Sequence, residues 1–337
     1  MKFSLIICTY MRAEALLDLL KSVALQTLYP SEILIIDGST NDETGQMLQS
    51  NAFENLKYFL ASSEHRGLTR QRNFGIAQTS GDIEIICFLD DDTVLETDYF
   101  EKLIGTYQNF PNALGVGGYI TNEVSWQKVD GNYQPSKNEF VYDGWKRTEP
   151  QRFRIRNKFG LNPNVPPGFS PDFSHGRSLS FLPPSGKTYP VEQLMGGVSS
   201  FRKPIFKQFS FSHYFEGYGL YEDADFTLRV SKTGPLYCNT SARLGHYHHE
   251  SGRPNQYRYG KMVVRNGWYV WRVKNPKPSF KARLKWHATT FLLAGIRFNN
   301  IFTTAGKKAA FTESAGRIAG WFSLVFNRPE NKYVQKS

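Results

Sequence analysis

Between residues 3 and 90 the chain alternates short apolar runs with stretches of helical periodicity, and this alternation restricts the fold more than any other feature. KFSLIICTY is a β-rich apolar run of the kind that forms a buried strand. AEALLDLLKSVALQ follows, with Leu16, Leu20 and Val23 at helical spacing. SEILIIDGST reads as a second strand ending at Asp37-Gly38-Ser39, and Thr40 to Glu43 fits a T-x-x-E capping box that starts a helix. NLKYFLAS is a third strand, LTRQRNFGIAQTSGD a helix ending at Gly81, and IEIICFLD a fourth strand. Strands separated by helices predict a parallel, doubly wound sheet. Ligands of such sheets bind outside the carboxyl ends of the strands. Asp37 and the triplet Asp90-Asp91-Asp92 both lie at such ends, so they can face one crevice although far apart in sequence.

Adjacent aspartates at a strand end repel one another and resist burial. A divalent cation with hard oxygen ligands relieves this, and Mg²⁺ or Mn²⁺ is often shared between carboxylates and a substrate phosphate. The plainer reading is a solvated loop in which Asp91 or Asp92 caps the next helix. A second acidic cluster, Glu222-Asp223-Ala224-Asp225, lies in GYGLYEDADFTLRVSKTG, read as a loop, a helix and a glycine stop. Alone it would only favour a helix N-terminus through the dipole. Residues 121–190 lose the pattern. Rich in Pro, Gly, Asn, Trp and Arg, they read as long irregular loops with a strand or two.

Six pieces together resemble a family 2 glycosyltransferase, an inverting enzyme of the GT-A fold. They are SLIICTYMR, EILIIDGSTND, GLTRQRNFGI, SGDIEIICFLDDDT, LMGGVSSFRK and GYGLYEDADFTLRVSKTG, in the family's order and covering about residues 3–250. The resemblance implies a Rossmann-like, mostly parallel sheet flanked by helices, here with a C-terminal helical extension. It implies that Thr9 and Asp37 hold the nucleotide base and that Arg72 helps bind the nucleotide. Asp90 and Asp92 become the two acids of a D-x-D motif, Asp90 contacting the nucleotide and Asp92 ligating Mn²⁺ or Mg²⁺ on the diphosphate. Asp91 need touch nothing. Asp223 is the base on the acceptor hydroxyl, with Glu222 orienting acceptor or base, while Asp225 caps the helix or faces solvent. Gly196 and Gly197 line the donor and acceptor site, since glycines admit close backbone approach. HYHH, with His246, His248 and His249, lacks the spacing of a structural zinc site, and Cys238 is a poor fourth partner. His246 instead matches the place from which a histidine reaches the donor diphosphate or its metal. Two departures from the family pattern stand out. Cys8 and Met11 replace the usual Pro and Asn around Thr-Tyr, and DDGS is IDGS.

The net charge of +11 divides unevenly. Residues 251–337 hold 17 Lys+Arg against 2 Asp+Glu, whereas residues 1–250 hold 24 against 28. QYRYGKMVVRNGWYVWRV can form one basic helix and KARLKWHATTFLLAGIRFNNIF another, with a third around Arg317, Trp321 and Phe322. Such helices either pack an apolar face on the core or suit an anionic membrane surface. The division expected is a nucleotide-sugar-binding half at 1–120, an acceptor-binding half of the same domain at 121–250, and a basic amphipathic helical region at 251–337. Three scattered cysteines, Cys8, Cys87 and Cys238, suggest a reducing compartment. The first residues read as a strand rather than a signal peptide, and no run reaches the length of a membrane span. The expected place is the cytoplasm, peripheral on the inner face of the cell membrane. The expected partners are a nucleotide-diphosphate sugar, a glycan or lipid-linked acceptor and an anionic membrane surface, with no nucleic acid. The Q-x-x-R-W signature of processive synthases is absent, which favours single additions in surface polysaccharide synthesis. Two rivals are a nucleotidyltransferase and a non-catalytic nucleotide- or nucleic-acid-binding protein. The first would need a Gly-rich basic loop after strand one, where CTYMRAEALL stands. The second leaves both acidic clusters without use.

Overall fold

The structure, a computed structural model, describes residues 1–215, 217–247 and 255–330. In chain order its strands and α-helices are β1 (Phe3–Thr9), α1 (Ala13–Ala24), β2 (Glu32–Asp37), α2 (Glu43–Ser50), β3 (Leu56–Leu60), α3 (Leu68–Gln78), β4 (Ile85–Asp90), β5 (Thr93–Leu95), α4 (Tyr99–Asn109), β6 (Gly115–Ile120), β7 (Gln127–Lys128), β8 (Glu139–Tyr142), β9 (Trp145–Thr148), α5 (Gln151–Lys158), β10 (Thr188–Val191), β11 (Val198–Arg202), α6 (Glu222–Val230), β12 (Leu236–His246), α7 (Gln256–Lys274), α8 (Phe280–Thr303) and α9 (Lys307–Phe326). They fall into two compact units. The first comprises Met1–Ser125 and Leu182–Glu250, the second Trp126–Phe181 and Ser251–Ser337.

The first unit is built on a nine-stranded sheet of order β10-β12-β6-β11-β4-β1-β2-β3, with β5 paired to β12. The block β3-β2-β1-β4 is parallel throughout, and β12 runs parallel to β6. β11, β10 and β5 run antiparallel to their neighbours. The GT-A expectation of an open, mostly parallel sheet flanked by helices therefore holds. Central strands are covered on both faces, which is why β2 is apolar from Ile33 to Ile36 and buried along its whole length. α1 turns Leu16, Leu19, Leu20 and Val23 into the sheet. α3 has no comparable apolar stripe. It lies on β1 because Gly75 presents no side chain there; an added Cβ would press on Ile6.

Several boundaries differ from expectation. α2 begins at Glu43, three residues after the supposed cap, and Asp42 at its N-cap makes no side-chain capping bond. The preceding turn is committed elsewhere. The Ser39 N–H donates to Asp37 Oδ1, the Ser39 Oγ accepts from the Met11 N–H, and the Thr40 hydroxyl meets the Met11 sulfur. α3 stops at Gln78 rather than at Gly81. Asp225 neither caps nor faces solvent. It is fully buried and accepts from Arg229, 2.7 Å away.

The second unit gathers residues 126–181 with the C-terminal helices, rather than leaving them within the first unit as a continuous 121–250 half. Nor is this segment merely irregular: β7-β9-β8 form a small antiparallel sheet, and α5 follows. Apolar burial explains the grouping. Leu161 and Phe173 join Trp268, Trp271 and Trp286 in one core, and the Trp271 indole N–H donates to the Asp172 carbonyl. α9 packs against both α7 and α8. Gly260 and Gly316 let α7 and α9 meet at their backbones, since a Cβ at either would overlap a carbonyl oxygen of the other helix. No helix among the described residues is long and apolar enough to cross a membrane.

The Asp225–Arg229 pair yields a stability test. Asp225→Ala removes the carboxylate that neutralises a guanidinium only 4% exposed, which keeps its bond to the Ser210 carbonyl, and the expected loss is about 3 kcal/mol in denaturant unfolding. Asp225→Leu combined with Arg229→Met should recover most of that loss.

Candidate active site

Four strand pairings build the site. Parallel register sets Cys8 beside Asp90 and Thr9 beside Asp37 at the carboxyl edge of the sheet. Antiparallel β11 places Val198 opposite Leu89, so the Gly197 carbonyl accepts from the Asp90 N–H at 3.0 Å. Antiparallel β5 and β12 pair Thr93 with His246, bringing the histidine back beside the aspartate triplet.

The aspartates divide by environment. The side chain of Asp90 is 40% exposed, while that of Asp92 is 6% exposed. Asp90, Asp92 and His246 each offer one ligand atom within 4.8 Å of the others. His246 Nε2 lies 2.9 Å from Asp92 Oδ1, and its Nδ1 lies 3.3 Å from Glu123. Asn122 fixes the His246 backbone from both sides, accepting from its N–H and donating to its carbonyl. Burial alone would depress the imidazole, but bonds to Asp92 and Glu123 raise it to about 10. Asp91 is not idle, contrary to expectation. It accepts from the Thr9 hydroxyl at 2.7 Å and from Arg12 at 3.0 Å, and Arg12 also reaches Asp92 at 3.3 Å. Burial, reinforced by Asp92 and Asp90, lifts Asp91 to about 6 against the pull of Arg12 and Thr9.

Across the diglycine lies the second acidic cluster. Tyr221, in the left-handed region at φ 70°, turns the chain into α6. The Asp223 carboxylate accepts from the Gly196 and Ala224 N–H groups at 3.2 and 2.7 Å. Burial raises the Asp223 carboxyl above its ordinary value, opposed by those two N–H groups. Glu222 is buried against Arg72, which also approaches Asp90 at 3.5 Å. Burial pushes Glu222 up to about 8 although Arg72 draws it down. Neither glycine can be replaced freely. A Cβ at Gly197 would overlap the Asp90 carboxylate, and one at Gly196 would overlap Glu222 and Arg72.

Of the residues singled out in the sequence, Asp90, Asp92, Arg72, Glu222, Asp223, His246, Gly196 and Gly197 thus converge on one place. Thr9 joins them through Asp91. Asp37 sits at the same edge but is fully buried, accepting from the Ser39 N–H and from the Tyr58 hydroxyl at 2.9 Å. A ligand reaching it would share oxygens already engaged, which a carboxylate with two lone pairs per oxygen allows. His248 and His249 lie outside the described residues. Glu123 carries no signal in the sequence, because only the β6–β12 pairing, continued by Asn122, brings it to His246. Arg12 does stand in SLIICTYMR, but its partners Asp91 and Asp92 lie some eighty residues on.

Residues 4–172, half of the chain, match the family model described as glycosyl transferase family 2. The chain belongs to that family. A glucosyl-dolichyl phosphate glucuronosyltransferase of Haloferax volcanii is 34% identical over 48% of this chain and 51% of its own length. A GalNAc(5)-diNAcBac-PP-undecaprenol beta-1,3-glucosyltransferase of Campylobacter jejuni is 29% identical over 42% of this chain and 47% of its own. The O-antigen chain rhamnosyltransferase RfbN of Salmonella typhimurium is 30% identical over 31% of this chain and 32% of its own. The chain therefore spans about half or less of the length of these relatives. The solved structure of S. aureus TarS 1–349 in complex with UDP superposes with a TM-score of 0.47 at 15% identity, covering 90% of this chain and 73% of that one. The fold assignment rests on the sheet order itself.

The Arg72–Glu222 contact generates a pH-dependent test. A carboxyl whose folded pKa lies above its unfolded value stabilises the fold when protonated and loses that contribution as pH rises through the folded value. Arg72→Met removes the cation that opposes the upward shift of Glu222. The variant should be destabilised by about 3 kcal/mol near pH 9, and the deficit in denaturant melts should shrink toward about pH 5.

Proposed function

We propose that the protein is an inverting glycosyltransferase. It would move a sugar from a nucleotide-diphosphate donor to an acceptor hydroxyl with the help of a divalent cation. The observation that carries this reading is the flanking of one diglycine by two chemically different acid clusters. On one side stand Asp90, Asp92 and His246 at metal-ligand spacing. On the other stand Asp223 and Glu222. Family membership supports the reaction class.

The two aspartates and the imidazole fit Mn²⁺ or Mg²⁺, hard cations that take carboxylate oxygens and can accept a nitrogen ligand. The Gly197 gap beside Asp90 keeps that carboxylate free of side-chain crowding. When bound, such a cation neutralises charge on the leaving diphosphate. The remaining work falls to side chains. Asp223, held by two backbone N–H groups and raised by burial, takes the proton from the acceptor hydroxyl as it attacks the anomeric carbon. Glu222, locked to Arg72, orients the acceptor, while Arg72 sets its charge toward the donor phosphates. Gly196 and Gly197, lacking side chains, let Asp90, Glu222 and Arg72 close in on the backbone that lines the site. Thr9 and Asp37 hold the nucleotide base at the strand edge, and Arg12 keeps Asp91 and Asp92 in place.

The segment 121–190 is proposed to bind the acceptor. A lipid-linked glycan acceptor in surface polysaccharide synthesis is supported by the Haloferax and Campylobacter relatives, whose names specify a dolichyl phosphate and a PP-undecaprenol. A cytoplasmic enzyme attached peripherally at the inner face of the cell membrane suits that acceptor.

Thermal shift with a panel of nucleotide sugars, with and without Mn²⁺ or Mg²⁺, is the primary test. A metal-dependent rise in melting temperature for one sugar class is expected. Asp92→Asn should abolish that rise. Asp223→Asn should keep it and lower transfer about 10²–10⁴-fold, the usual contribution of a positioned general base. The opposite pattern in the two variants would exchange the roles of the two acid clusters and overturn the mechanism.

A further inference from the structure

Helices α8 and α9 bury one side against the second unit's core and leave another uncovered. Phe280, Leu284, Phe291, Phe298 and Phe302 are all exposed, at 76% for Phe280 and 75% for Phe302. On a helix of 3.6 residues per turn these positions fall in a stripe about 40° wide. α9 exposes Phe311, Phe322, Val325 and Phe326, the last at 89%. The two rows join. Ring centroids of Phe298 and Phe311 lie 6.4 Å apart, and those of Phe291 and Trp321 lie 4.6 Å apart. Single exposed apolar residues are ordinary, but a continuous aromatic surface across two helices marks an interaction site.

On these two helices the exposed charge has one sign. Lys281, Arg283, Lys307 and Lys308 are exposed on the same two helices. Beyond residue 250 the acids are Glu313 and Glu330. Glu313 is buried and held by Arg297 and Arg317, each at 2.7 Å, so it does not offset the exposed cations. We propose that this face of α8 and α9 docks on an anionic lipid bilayer. The phenylalanines would sit at the boundary of the acyl chains, with the lysines and arginines among the phosphate headgroups. A bilayer supplies an apolar interior and fixed anions together. A second copy on a two-fold axis would cover the rings but set these cations against their own kind. A nucleic-acid duplex would answer the cations and leave the rings in water. The docking face deepens the peripheral attachment proposed above, and its test does not depend on sugar transfer.

The test is co-sedimentation of the full chain with vesicles. The protein should pellet with vesicles containing about one-third phosphatidylglycerol at low salt, and bind about tenfold more weakly to pure phosphatidylcholine. Phe280→Ser/Phe302→Ser/Phe326→Ser alters only exposed side chains. It should keep the wild-type melting temperature and lose about tenfold in vesicle binding. Lys307→Gln/Lys308→Gln should weaken binding to the anionic vesicles while leaving the weak binding to phosphatidylcholine unchanged. The proposal fails if the wild type does not pellet with anionic vesicles, or if the triple Ser variant binds as well as the wild type. It fails equally if the triple variant instead abolishes a wild-type dimer, or if RNA binds this face in preference to vesicles.

Discussion

Arg72 is buried between Glu222 and Asp90, with its guanidinium stacked on the rings of Phe88 and Phe211 at 5.7 and 5.2 Å. Much of the first unit's arrangement follows from this contact. Arg72 and Glu222 stand 150 residues apart in the chain. Through them two acid clusters come close, and neighbouring carboxylates each make the other harder to ionise. One delocalised cation that forks toward both offsets their repulsion and lets them stay close. The aromatic rings hold its plane, so little of its long side chain's freedom is left to be lost when a ligand arrives. Arg12 plays the corresponding part at Asp91 and Asp92.

Backbone pairing supplies what charge alone cannot. The diglycine meets Asp90 because β11 enters the sheet antiparallel beside β4. His246 meets Asp92 because three residues of β5 pair with the end of β12. A slip of one residue in either ladder would turn the partner side chain to the opposite face. The loops between these strands can vary in length without moving the site, since position is set by register and not by the path of the connecting chain.

Register also separates what could be read from the sequence from what could not. Apolar runs and the helical spacing of α1 revealed the β1-α1-β2 succession and the strand β4, and with them the edge where Asp37 and Asp90 stand. The three basic helices were legible as candidates, the second from Leu284, Ala288, Phe291 and Leu292 at helical intervals. What stayed hidden depends on partners and packing. Asp225 resembles any acid in a first helical turn, yet Arg229 one turn on makes it a buried ion pair. Thr40-x-x-Glu43 has the letters of a capping box, but its turn is spent on Asp37 and Met11. Residues 126–181 show no strong period because short strands and an Arg-rich helix carry little apolar patterning; their affiliation is written in Leu161 and Phe173, which look like any loop hydrophobes until the tryptophan core is seen.

Charge separates the two units more sharply than composition by halves suggests. The second unit holds 26 Lys+Arg against 7 Asp+Glu, which leaves 15 against 23 in the first. A unit with an excess of eight acids repels an anionic diphosphate at long range. In the proposed reading its attraction must therefore be local, supplied by Arg72, Arg12 and a cation between the aspartates. Screening over about 8–10 Å at physiological ionic strength keeps that local field from being cancelled by the rest of the unit. Part of the basic excess, seven Lys+Arg against Glu313, lies on α8 and α9, whose phenylalanines face outward. In the proposed reading, donor phosphates meet a few buried cations of the first unit and headgroup phosphates the exposed ones of α8 and α9.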